Sequence, residues 1–258
     1  MKTRKELHDL KRKLCSNSGL AKTTAFLLGI GLLIPKPWCF SCADHLQNRI
    51  EQEKEEGITI VASFPEEETP IKEWLEDNNW EEQRGKAKNF VVKEKTMFMR
   101  NDNASTTIGT KLKPKINPRL YPEIEFRIRV DEIPFGTNVT IKSKDDAAFR
   151  LFVLFDKGGN IISPPQTIGY VWDSTMKEGD TGRAPRFGKV RYITIASGED
   201  GLGEWKEFRR NLLDDYTMLF GSEEIPEIAA IGLKCDSNHS KGSAASAVQW
   251  IRLRQKTE

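Results

Sequence analysis

Tyr121-Pro-Glu-Ile-Glu-Phe-Arg-Ile-Arg-Val130 sets Ile124, Phe126, Ile128 and Val130 against Glu125, Arg127 and Arg129 in strict alternation. A repeat of two is the mark of a strand with one face on a core and the other in water. Short apolar or alternating runs of the same kind, divided by turn residues, recur at 58–64, 90–99, 105–112, 147–155, 168–172, 189–195, 228–235 and 247–253. Many short strands without long helices between them predict an all-β fold, an antiparallel β-sandwich or jelly roll. One segment departs from this. Between Gly203 and Gly221, residues Trp205, Phe208, Leu212, Leu213, Tyr216 and Phe220 fall at helical intervals, and a glycine stands where a helix would stop. That spacing predicts one peripheral α-helix around residues 204–220.

The 258 residues carry 40 Lys+Arg against 38 Asp+Glu, unevenly placed. Residues 1–43 have a net charge of +6 and the remainder −4. A mildly acidic body with no basic run argues against a nucleic-acid partner, because affinity for phosphate backbones rests on clustered Lys and Arg. With 38% hydrophobic and 9% aromatic residues, the body can bury the core of one β-sandwich domain, expected over residues 58–253 with a tail at 254–258.

The apolar run from Ala25 to Ile34 follows Lys22 and precedes Pro35, Pro37 and the small residues Ser41-Cys42-Ala43. This is the order of a secretory signal, so residues 1–43 are expected to be a signal peptide or, given the long basic leader, a retained N-terminal anchor. Ten apolar residues fall short of the roughly 20 that a helix needs to span a bilayer. No stable transmembrane span is therefore expected after cleavage, and the expected location is periplasmic or secreted. Residues 44–57 read as a short polar helix or linker. Cleavage after Ala43 would leave Cys235 as the one cysteine, in the apolar strand-like run from Ile228, where a buried structural role suits it better than a nucleophilic pairing with His239.

Lys144-Asp-Asp-Ala-Ala-Phe-Arg-Leu-Phe-Val-Leu-Phe-Asp156, Gly169-Tyr-Val-Trp172, Gly203-Glu-Trp205, Arg210-Asn-Leu-Leu-Asp-Asp-Tyr216 and Ile231-Gly-Leu-Lys-Cys-Asp236 follow one another in order. This set resembles a family of exported bacterial proteins with no assigned activity, number three thousand and forty-seven in the domain-of-unknown-function series. The resemblance covers roughly residues 58–253. It implies a sandwich similar to the galactose-binding-like domains, many of which are carbohydrate-binding modules. Near the last strand the family has an aspartate-rich stretch ending in threonine, where this chain has Asp236-Ser-Asn-His239.

Among the residues themselves, Arg150 interrupts an apolar strand and, with Ala148, Phe152 and Leu154 expected to face one way with it, calls for a carboxylate from Asp145, Asp146, Asp173 or Asp215. Tyr170 and Trp172 fall two apart on one strand and share a face. Exposed, they would stack on sugar rings; buried, they would be core. Arg210, Asn211 and Asp215, expected on one helix, would meet Arg150 and that aromatic strand, with Arg150 and Asp215 compensating each other. The expected ligand site is thus Asp146, Arg150, Tyr170, Trp172, Arg210, Asn211, Asp215 and Asp236. The expected function is non-catalytic binding of a saccharide or glycan. The alternatives are a polysaccharide hydrolase or lyase using Asp146 or Asp215 as acid or base, and a structural envelope protein. The sequence has no serine elbow, zinc-binding His-Glu-x-x-His, phosphate loop or dinucleotide fingerprint. No cofactor is expected. A structural calcium ion is the one cation that Glu199–Gly203 or Asp236–Asn238 would suit.

Overall fold

The alternating stretch forms the strand β6 (Glu123–Glu132), with Ile124, Phe126, Ile128 and Val130 wholly buried. In the computed structural model, which describes residues 57–156 and 165–256, β6 lies between β11 (Lys206–Asn211) and β13 (Ser243–Arg254). β4 (Thr96–Asp102), β3 (Val91–Lys93) and β1 (Ile58–Ser63), the last paired to β13, complete a six-stranded sheet. The second sheet has seven strands. In spatial order they are β2 (Trp80–Arg84), β5 (Ser105–Ile116), β12 (Ile228–Asp236), β7 (Ala147–Phe155), β8 (Thr167–Asp173), β10 (Val190–Ser197) and β9 (Thr181–Arg183). The pairings are antiparallel except that β10 runs parallel to β8. The two sheets enclose one apolar core, in which Phe126 of β6 packs against Phe149, Tyr170 and Phe208 with ring centroids 6.0, 5.8 and 5.4 Å away. The fold is the expected β-sandwich.

The expected signal or anchor at 1–43, and the piece at 44–57 up to its last residue, lie outside the described residues. Among the described residues, no helix is long and apolar enough to cross a membrane.

Three local readings are corrected. The helix expected around 204–220 is α2 (Leu212–Phe220) only, because residues 206–211 form β11 against the edge of β6. Trp205, Phe208 and Leu212 do fit a helix by spacing, but β6 has an unpaired edge there, and satisfying its backbone groups overrides local periodicity. Asn211 then caps α2, its side chain accepting from the amides of Leu213 and Asp214, and Gly221 closes the helix at φ 65 as its position indicated. The run at 90–99 is not one strand. It folds back at Glu94-Lys95, both with positive φ, into a β3–β4 hairpin whose turn lacks the glycine that usually announces it. A second helix, α1 (Ile71–Asp77), burying Trp74 and Leu75, and the last strand's extension through Arg254 were not expected.

Candidate functional site

The seven-stranded sheet has its second face on a cleft of about 390 Å³. Strand alternation selects what reaches it. On β7, Phe149, Leu151, Val153 and Phe155 enter the core, so Arg150, Phe152 and Leu154 point to the cleft; Ala148, expected on their face, is instead in the core, where the pairing with β12 shifts register at the start of β7. On β12, Ile231, Leu233 and Cys235 enter the core, and Gly232 and Lys234 line the cleft. Cys235 is thus a core residue, and burial pushes its thiol well above the ordinary value.

Register arranges these residues in rows across β5, β12, β7, β8 and β10. The middle row is Gly109, Gly232, Phe152, Gly169 and Tyr192. On one side run Thr107, Lys234, Arg150, Val171 and Thr194; on the other, Lys111, Ala230, Leu154, Thr167 and Val190. Gly109 and Gly232 have no side chain, so the row opens into a trough beside the half-buried ring of Phe152, while the ring of Tyr192, 6.3 Å from that of Phe152, covers Gly169. Gly169 is required there, because a Cβ on it would lie 2.6 Å from the Tyr192 ring. The rims come from elsewhere. β2 supplies Gln83 and Arg84, the turn between β9 and β10 supplies Arg186 and the exposed Phe187, and the loop after β12 supplies Asn238 and His239.

Under one end of the trough lies an ionic cluster. Arg150 is 1% exposed; its Nη1 lies 2.9 Å from Asp145 Oδ1 and its Nη2 3.3 Å from Asp236 Oδ1. Nη1 also donates to the Tyr192 hydroxyl at 3.3 Å, and Lys234 Nζ stands 2.5 Å from Asp236 Oδ2. Yet Arg150 Nε and Nη2, Asp145 Oδ1 and Asp236 Oδ2 have no aligned hydrogen bond. The charges attract at short range while the directional capacity of the guanidinium stays partly unused, a state that buried polar groups rarely keep. Burial raises the pKa of the Asp145 carboxyl. Burial first, and the charge of Arg150 second, lower that of Lys234. Asp146 points away from its neighbour Asp145: its carboxylate accepts from the Ser240 amide at 2.6 Å and lies 3.2 Å from His239 Nδ1. Burial opposes ionisation there, but the amides of Ser240 and His239 hold the carboxyl below its ordinary range.

The remaining expected site residues lie in or beside the core. The Tyr170 hydroxyl donates to Asp215 Oδ2 at 2.7 Å, Arg210 Nε donates to the same oxygen at 3.0 Å, and Arg210 Nη2 donates to Asp215 Oδ1. Tyr170 and Trp172 are wholly buried, and Trp172 Nε1 donates to the Gly198 carbonyl at 2.9 Å. Neither ring offers a face for a sugar to stack on. The expected pairing of Arg150 with Asp215 is therefore corrected. Tyr170 and Trp172 face the core while Arg150 faces the cleft, so the sheet itself lies between the two groups. Arg210 is on a strand and Asn211 at a helix cap, not side by side on a helix.

Arg150 and Asp236 thus meet at the cleft, with Asp146 joined to the cleft residue His239. Tyr170, Arg210 and Asp215 meet elsewhere, with Trp172 and Asn211 in structural roles. Phe152, Phe187, Lys234 and Tyr192 were missed as site residues. Their signal was the set of glycines at 109, 169 and 232 inside otherwise good strands, a mark of close approach or open space. Among the described residues, no three His, Cys, Asp or Glu side chains converge as a metal set, and the Asp236 carboxylate is already met by Arg150, Lys234 and the Ala147 amide.

Among solved structures, the chain is similar to the family 11 carbohydrate-binding module from Clostridium thermocellum in complex with a beta-1,3-1,4-mixed-linked tetrasaccharide. Identity is 11% over 78% of this chain and 91% of that one, with a TM-score of 0.32. It is also similar to the glycoside hydrolase domain of Endo-D from Streptococcus pneumoniae R6, at 9% identity over 76% of this chain and 22% of that one, with a TM-score of 0.29. No curated protein matches the sequence. The family model described as protein of unknown function, DUF3047, matches residues 73–252.

Proposed function

The chain belongs to that family, and we propose that it is an exported protein that binds a saccharide in the cleft on the seven-stranded sheet. The observation that carries this reading is the middle row of the sheet: a glycine-walled trough with Phe152 beside it and Phe187 at its rim. A sugar ring has apolar C–H faces and a hydroxyl periphery. Aromatic rings suit the faces, and side-chain amides such as Gln83 and Asn238 both donate to and accept from hydroxyls. The volume is within the range of small-molecule sites, which combine apolar walls with a few placed polar groups. Export rests on the order of basic, apolar and small residues before Asp44.

The binding half is tested by a glycan array followed by calorimetry on the mature protein. A bound saccharide is expected, with affinity falling about tenfold in Phe187→Ala, the worth of one aromatic contact. Phe187 is 44% exposed, so its removal leaves the core intact. A ligand whose affinity ignores Phe187→Ala and a bulky replacement of Gly232 binds elsewhere, and the cleft reading falls. Intact mass of the envelope-associated protein tests export. A chain beginning near Asp44 is expected, and a full-length cytosolic species overturns it.

A further inference from the structure

The charge of the cleft opposes that of the body around it. Five of its lining residues are basic, Arg84, Lys111, Arg150, Arg186 and Lys234; Asp145 and Asp236 already balance Arg150 and Lys234, so the excess is that of Arg84, Lys111 and Arg186. The chain beyond residue 43 is net acidic at −4, so this excess is local. It also surrounds the trough. Arg84 pairs opposite Thr107 and so extends the row of Lys234 and Arg150 to the sheet edge. Lys111 heads the row on the other side, and Arg186 stands on the turn between β9 and β10 at the far edge. Arg84, Lys111 and Arg186 are exposed, and among the described residues none is held by an ion pair. Arg150, 99% buried in side chain, keeps Nε and Nη2 without aligned partners at the floor.

Lys and Arg donate hydrogen bonds and accept none. Neutral saccharides present hydroxyls that need acceptors as well as donors, so walls made of cations suit them poorly. A carboxylate or sulfate group accepts only, and matches the exposed cations of the rim in both charge and geometry. We infer that the saccharide taken by this cleft is acidic, a short chain bearing uronate carboxylates or sulfate esters. Its ring faces lie on Phe152 and Phe187, and its anionic groups point to Lys111 and Arg186. This rests on the cleft being the saccharide site.

The test uses the mature protein on an array that holds neutral glucans, oligogalacturonate, the methyl ester of the same oligogalacturonate, and sulfated chondroitin chains. Acidic members are expected to bind, with affinity falling as salt is raised. If uronates are the ligand, the methyl ester should bind at least about tenfold more weakly than its parent; loss of chondroitin binding on desulfation would assign sulfate instead. Arg186→Gln and Lys111→Gln should each cost about three- to fivefold in affinity with unchanged melting, as fits partly exposed charge contacts. Equal binding of ester and parent without binding of the sulfated chains, or tight binding of neutral glucans indifferent to both Gln variants, overturns the acidic assignment and leaves the saccharide site standing. Binding of no array member overturns both.

Discussion

Two arginines answer the same physical demand in opposite ways. Arg210 gives Nε and Nη2 to both oxygens of Asp215, whose Oδ2 also accepts from Tyr170. Asp215 lies in the first turn of α2, where a carboxylate is favoured by the helix dipole, and Arg210 is about one-third exposed. Arg150 is wholly buried between two carboxylates, yet two of its nitrogens and one oxygen of each carboxylate lack aligned partners. The first group fastens a helix to a sheet and is complete. The second is incomplete, and its Arg150, Asp145 and Lys234 line the cleft. The difference teaches that an ion pair's function is read from its unfilled hydrogen-bond positions, since close charge contact is common to both.

The largest effect is expected from Arg150→Met, which leaves Asp145 and Asp236 buried without their main cation. Loss of about 3–5 kcal/mol in urea melts is expected. A loss below about 1 kcal/mol would mean that the cluster is hydrated, and the contrast with Arg210 would disappear.

Alkaline titration compares the two groups directly. Burial raises both phenols. Tyr192 is pushed up to about 12, with the Arg150 charge opposing the rise, and Tyr170 is raised well above its ordinary value, by burial first and then by the charge of Asp215. Both pKa values are raised on folding, so their contribution is fully present below the ordinary tyrosine value of 10.0 and is lost as pH rises above it. For Tyr192 the loss reaches on the order of 3 kcal/mol near pH 12. Stability followed through tyrosinate absorbance should be flat up to about pH 9–10 and then fall. Tyr170→Phe and Tyr192→Phe should each reduce the slope. A slope already present at neutral pH would locate the sensitivity elsewhere.

Asp215→Asn should cost about 1–3 kcal/mol, since the amide oxygen still accepts from Tyr170 and the freed Arg210 can reach water. Saccharide affinity should be unchanged. A change in affinity would show that the two groups are coupled through the sheet.

The smallest stability effect belongs to Gly232→Ala. Its Cβ would meet Ile108 O at 3.4 Å and Phe152 Cβ at 3.8 Å, ordinary contacts. Melting should shift by less than about 1 kcal/mol while the methyl occupies the trough and weakens binding. Gly169→Ala is the contrast: its Cβ would run into Tyr192, with a cost of about 1–3 kcal/mol from overpacking.

The sequence by itself determined what depends on neighbours two or four residues away. Alternation in β6 named its four core residues, the apolar run to Cys235 made that thiol a core group, Gly221 marked the end of α2, and the position of Arg150 beside Phe152 and Leu154 required a carboxylate on their face. Tertiary structure alone decided which carboxylates came. Asp236 reaches Arg150 because β12 pairs with β7, and Asp145 from the turn just before β7, whereas Asp215, equally available by sequence, belongs to an element packed toward the opposite face of the sheet. It also decided that Tyr170 and Trp172 are core and Phe152 is not, since a strand pattern separates two faces without saying which one the other sheet will cover. The same holds for β11, drawn out of a helical pattern by the open edge of β6, and for the trough, where Gly109 and Gly232 come from two distant segments. Register between strands is a long-range property, fixed only when both sheets bury their apolar faces against each other.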